Sequence, residues 1–134
     1  MADDAVTPAN VLAYSGATTA KGIAAVAITA GQTLYLNGDG ELALAIDTSA
    51  AAAACVGVAL CNADPGQPLV YLTSGGLNPG AAVTVGLQYG VTDTAGGIGL
   101  LSERGAADYI TLIGIATTTS RIEVEIQASG VPIT

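Results

Sequence analysis

Asp39 and Glu41 come closest to forming a pair of catalytic carboxylates in this sequence. Such a pair performs general acid–base catalysis only where the surroundings keep one carboxyl protonated and the other ionised. Here the two residues flank Gly40 and follow Asn37-Gly38, and these Asn-Gly and Asp-Gly steps predict the tip of a β-hairpin. Because water reaches both carboxylates at a hairpin tip, we expect a solvated turn and no catalytic pair.

Two glycine-containing segments resemble ligand loops only in part. Oxygen ligands alternate at residues 37, 39 and 41, but an EF-hand also needs Gly at its sixth position and Glu at its twelfth, where this chain has Leu42 and Thr48. The segment Gly96-Gly97-Ile98-Gly99 lacks the following helix with Lys and Ser or Thr that a phosphate-binding loop requires. The sequence therefore predicts turns in both places and no metal site.

Nucleophilic catalysis lacks a base in this chain. There is no His, and the single Lys is Lys21, whereas a serine nucleophile is normally activated by one of these two residue types. We therefore predict that the protein is not an enzyme and needs no cofactor.

Cys55 and Cys61 are the two cysteines of the chain. They bracket the apolar run 56–60, and six residues of one extended strand would separate their Cα atoms by about 20 Å. A disulfide needs Cα atoms less than about 7 Å apart. We therefore expect two reduced thiols that pack as small hydrophobic groups.

The charge balance limits the partners of the protein. The 134 residues contain 3 Lys and Arg against 11 Asp and Glu, and the charged fraction of 10% is well below the roughly 25% of an ordinary soluble domain. Three cations cannot neutralise the phosphates that a nucleic-acid interface contacts, so nucleic acid is excluded as a partner. A surface with so little charge is typical of a subunit that lies against other proteins.

Neither a membrane span nor an export signal is predicted. The longest segment without a charged residue, 65–92, is interrupted by Pro68, Pro79 and several Gly, so it contains no run of about 20 apolar residues. The start at Asp3-Asp4 is acidic, where a signal peptide has a basic region. We expect no membrane partner, and a protein that stays in the cytoplasm of the cell that makes it until it joins an assembly.

Short alternating segments separated by turn residues predict an all-β fold, either a compact antiparallel barrel or a sandwich. Segments 33–36 and 41–46 flank the turn at 37–40, and one register would bury their even-numbered apolar residues together. The clearest strand is 121–128, where Ile122, Val124 and Ile126 alternate with polar residues. Further strands are expected at 56–60, 69–72, 82–85, 87–91 and 109–116, with turns at 64–66 and 96–97. The Ala tract at 49–54 predicts a turn or a short helical segment, capped by Asp47-Thr48.

Two pairs of segments are alike within the chain. Residues 28–35 resemble residues 77–84 at an offset of 49, and residues 56–59 resemble residues 113–116 at an offset of 57. Either two related β-halves close into one barrel, or Gly- and Ala-rich strands look alike by chance.

The domain organisation follows from this pattern. Residues 1–22 contain Pro8, Gly16 and Gly22 among small residues and predict an extended N-terminal arm with one strand at 11–14. Residues 23–134 are expected to form a single β-barrel domain. An extended arm is suited to adding a strand to the edge of a partner's sheet, although many chain termini are simply disordered tails.

A Gly- and Ala-rich rhythm runs from Ala54-Cys55-Val56-Gly57-Val58-Ala59-Leu60, through Gly66-Gln67 and Val70-Tyr71-Leu72-Thr73-Ser74-Gly75, to Gly80, Val83 and Gly86-Leu87-Gln88-Tyr89. This rhythm resembles that of the small Gly/Ala-rich capsid decoration, or cement, proteins of tailed bacteriophages. The likeness covers roughly residues 28–127. It implies a compact β-barrel with an N-terminal arm and a non-enzymatic virion structural protein that stabilises the capsid.

The resemblance also implies the partners. They would be the major capsid protein and further copies of this chain, commonly in a homotrimer on the outer surface of the virion capsid. A net charge of −8 is consistent with the outside, because packaged DNA would repel it from the inside. The alternative is a head-fibre or tail-associated receptor-binding β-domain. The residues expected to contact the capsid lie in the arm: Asp3, Asp4, Val6, Thr7, Pro8, Val11, Leu12 and Tyr14.

Overall fold

The computed structural model describes residues 10–80, 82–101 and 109–132, and within them the chain is all-β, as predicted. One antiparallel sheet curls into a half-barrel. Its strands are β1 (Val11–Ala13), β2 (Thr18–Ile23), β3 (Thr33–Leu36), β4 (Leu42–Leu44), β5 (Gly57–Ala59), β6 (Pro68–Pro79), β7 (Gln88–Val91), β8 (Ile98–Leu100), β9 (Tyr109–Thr118) and β10 (Arg121–Pro132), and a short helix, α1 (Ala50–Ala53), lies between β4 and β5.

The order of the strands is symmetrical about the centre of the sheet. It reads β4-β3-β5-β6-β10-β9-β7-β8, and β1 and β2 both pair with β6 outside this path. The unit β3 to β6 therefore has the same internal order as the unit β7 to β10, and the two units meet where β6 pairs antiparallel with β10. A duplicated four-stranded unit accounts for this order.

Backbone hydrogen bonds match between the two units. The N–H of Gly31 donates to the carbonyl of Ala59, and the N–H of Ala59 donates to the carbonyl of Gln32; Gly86, Ala116 and Leu87 repeat this pair of bonds. The offset is therefore 55 residues at the first strand of each unit and 57 at the third. The match predicted between 56–59 and 113–116 is supported, whereas the offset of 49 predicted for 28–35 is wrong, because Gly31 corresponds to Gly86 and not to Gly80.

The predicted hairpin is present, but its apolar residues are not all buried. β3 and β4 pair with Leu34 opposite Leu44 and Leu36 opposite Leu42. Leu34 and Leu42 are fully buried, whereas Leu36, at the end of β3, is 48% exposed. The pairing register was therefore predictable, but the edge of the core beside the turn was not.

The last strand follows its predicted alternation. Ile122 and Val124 are buried in the core, and Glu125 and Gln127 are exposed. The segment 82–85, in contrast, is not a strand: among its residues Val83 is buried outside the ladder and its N–H donates to the carbonyl of Thr119. The strand at 98–100 was not predicted, since three residues with Gly99 in the middle show too little alternation to be recognised.

The Ala tract forms the short helix α1, and its cap differs from the predicted one. Ser49, not Asp47 or Thr48, is the N-cap, and its hydroxyl accepts a hydrogen bond from the N–H of Ala52. The side chain of Asp47 is instead fully buried, and its backbone bonds to Thr92 and Tyr109. Asp47 therefore links the first unit to the second through its backbone.

Residues 11–23 lie against β6 within the same chain, so the predicted boundary between an arm and a domain, at residues 22 and 23, falls inside β2. Leu77 pairs with both β1 and β10, which places these two strands on opposite sides of β6. Leu72 pairs with both β2 and β5, which separates that pair in the same way. Ser74 pairs with both β2 and β10, so β1 and β2 lie on the same side of β6 and are joined along it by residues 14–17.

Gly75 allows the link between β1 and β2 to lie close to β6. Its φ of +101° is a conformation that favours glycine, and a Cβ on it would lie 2.7 Å from the Cα of Ala17 in this link. The side chains on the two sides of the sheet form two clusters. The larger cluster contains Val58, Leu72, Tyr89, Ile113 and Ile122 between the two units, and the smaller contains Ile28, Leu34, Leu42, Leu69 and Tyr71 on the other face of the first unit.

Candidate interaction surface

The predicted capsid-contact residues fall into two groups. Asp3, Asp4, Val6, Thr7 and Pro8 lie outside the described residues, so their expected role stays a prediction. Val11, Leu12 and Tyr14 belong to the part of the chain that runs along β6.

β1 presents one apolar side chain to solvent. Val11 lies opposite Pro79 and packs against the larger core cluster, whereas Leu12 lies opposite Asn78 and is 58% exposed, the largest exposed fraction among the large apolar residues that the structure describes. The strand was predicted from the sequence, but which of its apolar side chains is exposed was not. The intramolecular partner was not, because pairing of β1 with residues 77–79 joins segments more than sixty positions apart.

Tyr14 is held in a small polar cluster. Its hydroxyl donates a hydrogen bond of 3.2 Å to the carbonyl of Ser120, and the guanidinium of Arg121 lies over its ring at 4.8 Å from the centroid. Nε of Arg121 also donates to Oε1 of Glu123 at 2.5 Å. These contacts fix the link between β1 and β2 to the start of β10, and they occupy Arg121 with partners of its own chain.

Gly76 provides the space for this cluster. A Cβ at Gly76 would lie 2.7 Å from Cζ of Arg121, so the guanidinium rests directly on the glycine backbone. The sequence signal for this arrangement was the Gly75-Gly76 pair inside an otherwise apolar strand, which is typical of a site where another segment approaches closely.

Large apolar side chains are exposed at several points on the body. Seven of them among the described residues are between 40% and 58% exposed: Leu12, Ile23, Val26, Leu36, Val85, Leu87 and Ile115. Scattered exposed apolar residues are ordinary on protein surfaces. Leu87 and Ile115, however, line the same cavity and therefore form a local apolar site.

That cavity has a volume of about 240 Å³ and lies at the start of the second unit. Its lining residues are Gly86, Leu87, Gln88, Leu100 and Ile115. They come from three strands and the turn before β7, and none of them carries a charge. This site was not predicted from the sequence, because alternation along the apolar run 113–116 places Ile115 with Ile113 in the core.

The residues considered for chemistry are not gathered into one site. Asp39 is exposed at the hairpin tip, where its N–H and that of Glu41 both donate to Oδ1 of Asn37. Lys21 lies exposed in β2 and lines a separate cavity of about 240 Å³ together with Cys61. Within residues 10–80, 82–101 and 109–132, no three His, Cys, Asp or Glu side chains stand close enough to hold a metal ion.

Both thiols are unpaired with each other, as predicted. Cys55 is buried and Cys61 is partly buried. Burial raises the pKa of the Cys55 thiol from 9.0 to about 11, although hydrogen bonds with the backbone of Leu34 and Gly57 oppose the rise. Its Sγ donates to the carbonyl of Gly57 at 3.3 Å, so this thiol is protonated at neutral pH and acts in packing.

No helix in the described part of the chain has the length and apolar character needed to span a bilayer. In comparisons with known proteins, the chain matches no family model, no curated protein and no solved structure.

Proposed function

We propose that this chain is a non-enzymatic virion structural protein that binds the outer surface of a bacteriophage head and stabilises it, in contact with further copies of itself. The observation that carries the proposal is a surface with exposed apolar side chains and very few charges. Leu12 at 58% and Val85 at 55% exposure lie on a chain in which only 10% of residues are charged. Such a surface is typical of a protein that its neighbours cover.

The distribution of cations supports the same proposal. In the described ranges the cationic side chains are Lys21 and Arg121, and Arg121 is held by Tyr14 and Glu123. Little positive charge is therefore available to contact phosphates, whereas a net charge of −8 suits the outer side of a shell filled with DNA.

The strand β1 is the proposed contact with the major capsid protein, together with the residues that precede it. Leu12 is exposed on this strand and Val11 is not, so the contact is expected to depend on the side chain of Leu12. Substitution Leu12→Glu adds a charge to the contact without removing a buried group. Val26→Glu is the matched control, because Val26 is also exposed, by 40%, but lies between β2 and β3.

The number of copies per particle tests the proposed function. Particles of the virus that encodes this chain are purified, and the protein is counted by quantitative mass spectrometry against the major capsid protein. Hundreds of copies, lost with Leu12→Glu and kept with Val26→Glu, would support a decoration protein that binds through β1. A handful of copies would contradict it and favour the head-fibre or tail-associated domain instead.

A further inference from the structure

The cavity at the start of β7 has a counterpart in the first unit of the same chain. Matching hydrogen bonds relate Gly86 and Leu87 to Gly31 and Gln32. Strand pairing extends the match, because Gln88 lies opposite Ile115 as Thr33 lies opposite Val58, and Leu100 lies opposite Tyr89 as Leu44 lies opposite Leu34. Every residue that lines the cavity therefore has an equivalent in the first unit.

The equivalent position in the first unit is filled by a turn. Gly96, in the turn between β7 and β8, accepts a hydrogen bond from the N–H of Thr33 at 3.0 Å and donates one to the carbonyl of Ala45 at 2.7 Å. The ideal Cβ position of Gly96 is 3.0 Å from Leu44 and 3.2 Å from Gln32, so the glycine backbone lies directly on these side chains. The turn of the second unit thus docks onto the first unit.

This docking explains why equivalent residues differ in burial. Thr33 is fully buried, and its hydroxyl and N–H donate to the carbonyls of Gly97 and Gly96, whereas its equivalent Gln88 is exposed. Val58 is buried in the larger core cluster, whereas its equivalent Ile115 is 42% exposed. The cavity beside Ile115 is the same docking site without its turn.

The first unit carries the corresponding turn, and that turn is not docked. Gly40 and Gly96 each precede the next strand by two residues, and their φ values are +78° and +77°. Added Cβ atoms at Gly38 and Gly40 would meet nothing within 4 Å. Among the described residues, the backbone bonds at this tip stay within the hairpin, from Asn37 to Glu41 and from Gly40 to Asn37.

We propose that the turn at residues 37–40 of one copy docks into the cavity lined by Leu87, Leu100 and Ile115 of a second copy, as the turn at Gly96 docks within the chain. The carboxylate of Asp39 does not oppose this, because Asp93 in the docked turn is itself exposed. Turn and cavity are different surfaces of one chain, so the contact is head-to-tail and joins copies into a ring or a filament. The inference rests on the proposed function in naming the contact between copies, but it concerns the isolated protein and is testable without particles.

A cross-linking experiment tests the contact directly. All variants carry Cys61→Ser, since Cys61 is only partly buried, and the buried Cys55 is kept. One preparation carries Asp39→Cys and the other Gln88→Cys, and the two are mixed under mild oxidation. We expect a disulfide-linked pair of chains that contains one copy of each variant. Pro65→Cys replaces Asp39→Cys in the control mixture, because Pro65 also lies on an exposed turn. Equal yields of linked pairs in the two mixtures would overturn the proposal.

The mass of the protein in solution provides the second test. Sedimentation over a concentration series should show association of the wild type, and Ile115→Glu should weaken its dissociation constant at least tenfold. Ile23→Glu is the control, with a matched exposed fraction of 41% against 42%, and should stay within twofold of the wild type. A wild type that stays monomeric, or an Ile115→Glu variant that associates normally, would contradict the docking. Neither result alters the copy number on particles, so the proposed function fails or stands separately.

Discussion

Gly114 and its equivalent Gly57 are the positions where the duplicated unit tolerates no side chain. A Cβ on Gly114 would lie 2.1 Å from the carbonyl oxygen of Glu123, and a Cβ on Gly57 would lie 2.5 Å from that of Leu72. Both oxygens belong to the neighbouring strand, β10 in one unit and β6 in the other. An added methyl group therefore meets backbone that is held in a ladder.

The loss of stability expected for Gly114→Ala follows from the distance by which the new Cβ and the carbonyl oxygen of Glu123 must move apart. An ordinary contact of Cβ with oxygen is at least about 3.4 Å, so β10 would have to move by about 1 Å at Glu123 to admit Gly114→Ala. Overpacking of a core costs about 1 to 3 kcal/mol, and backbone gives way less readily than a side chain. Ala also lowers the conformational entropy of the unfolded chain, which offsets about 0.4 to 1 kcal/mol of this cost. Because backbone must move, we take the upper end of this cost and expect Gly114→Ala to destabilise the fold by about 2 to 2.6 kcal/mol.

Gly57→Ala should cost less, because its contact with the carbonyl is longer. Its second contact is with Cδ2 of Tyr71 at 2.6 Å, and that ring can turn away. Gly38→Ala is the control, since Gly38 has open space around it and no positive φ. Its free energy of unfolding should stay within about 0.5 kcal/mol of the wild type.

Urea unfolding followed by circular dichroism measures all three variants. For a chain of this length, 1 kcal/mol corresponds to about 3 to 5 °C in Tm, so a thermal melt gives an independent check. The expected order of stability is wild type and Gly38→Ala, then Gly57→Ala, then Gly114→Ala. If Gly114→Ala were as stable as Gly38→Ala, the close approach of β9 and β10 at this position would be refuted.

Three further predictions concern groups whose surroundings differ sharply. Burial raises the folded-state pKa of Cys55, so the stability that the protonated thiol contributes is complete below pH 9.0 and is lost as the pH rises through about 11. Between pH 8.5 and 10.5, the free energy of unfolding of the wild type in urea should therefore fall by about 2 kcal/mol more than that of Cys55→Ala. Equal losses would contradict a buried protonated thiol. Thr111→Val removes the buried hydroxyl that donates to the carbonyl of Ala53, and should cost about 1 to 3 kcal/mol in the same assay, whereas Thr111→Ser should recover most of it. A double-mutant cycle of Tyr14→Leu with Arg121→Leu should give a coupling energy of about 0.5 kcal/mol, because the cluster is partly exposed; additive effects would mean that the stacked geometry contributes nothing to stability.

The fold class was predictable because alternation and turn chemistry act over a few residues. The strand 121–128 and the turn at 64–66 were predicted from such local signals, and the structure has both, with the N–H of Gln67 donating to the carbonyl of Asp64. Pairing between distant segments carries no local signal. The place of residues 11–23 beside β6 is of this kind, and it was the part of the organisation that the sequence analysis assigned differently.

In the candidate site, too, local sequence patterns predicted some residues, whereas others depend on pairing between distant segments. Leu12 was selected from the sequence as part of an extended segment, and it is exposed on a strand. The cavity beside Ile115 could not be selected, because Ile115 lies in a run of apolar residues, 113–116, whose neighbours Ile113 and Ala116 are buried. A register shift between Tyr89 and Gly90, where β7 pairs with β9, changes the face on which successive side chains lie. Alternation alone would therefore have placed Ile115 with Ile113 in the core.

Because the unit is duplicated, the burial of each apolar residue can be compared with that of its equivalent in the other unit. Where the two units differ in burial at equivalent positions, the covering segment can be identified, as the turn at Gly96 is for Thr33. Leu36 and Val91 form another such pair, because both end the first strand of their unit and lead into its turn. Val91 is fully buried in the turn region that docks, whereas Leu36 is 48% exposed in the turn region that does not. The contact proposed between copies would bring Leu36 beside the cavity at Ile115 and cover both exposed side chains.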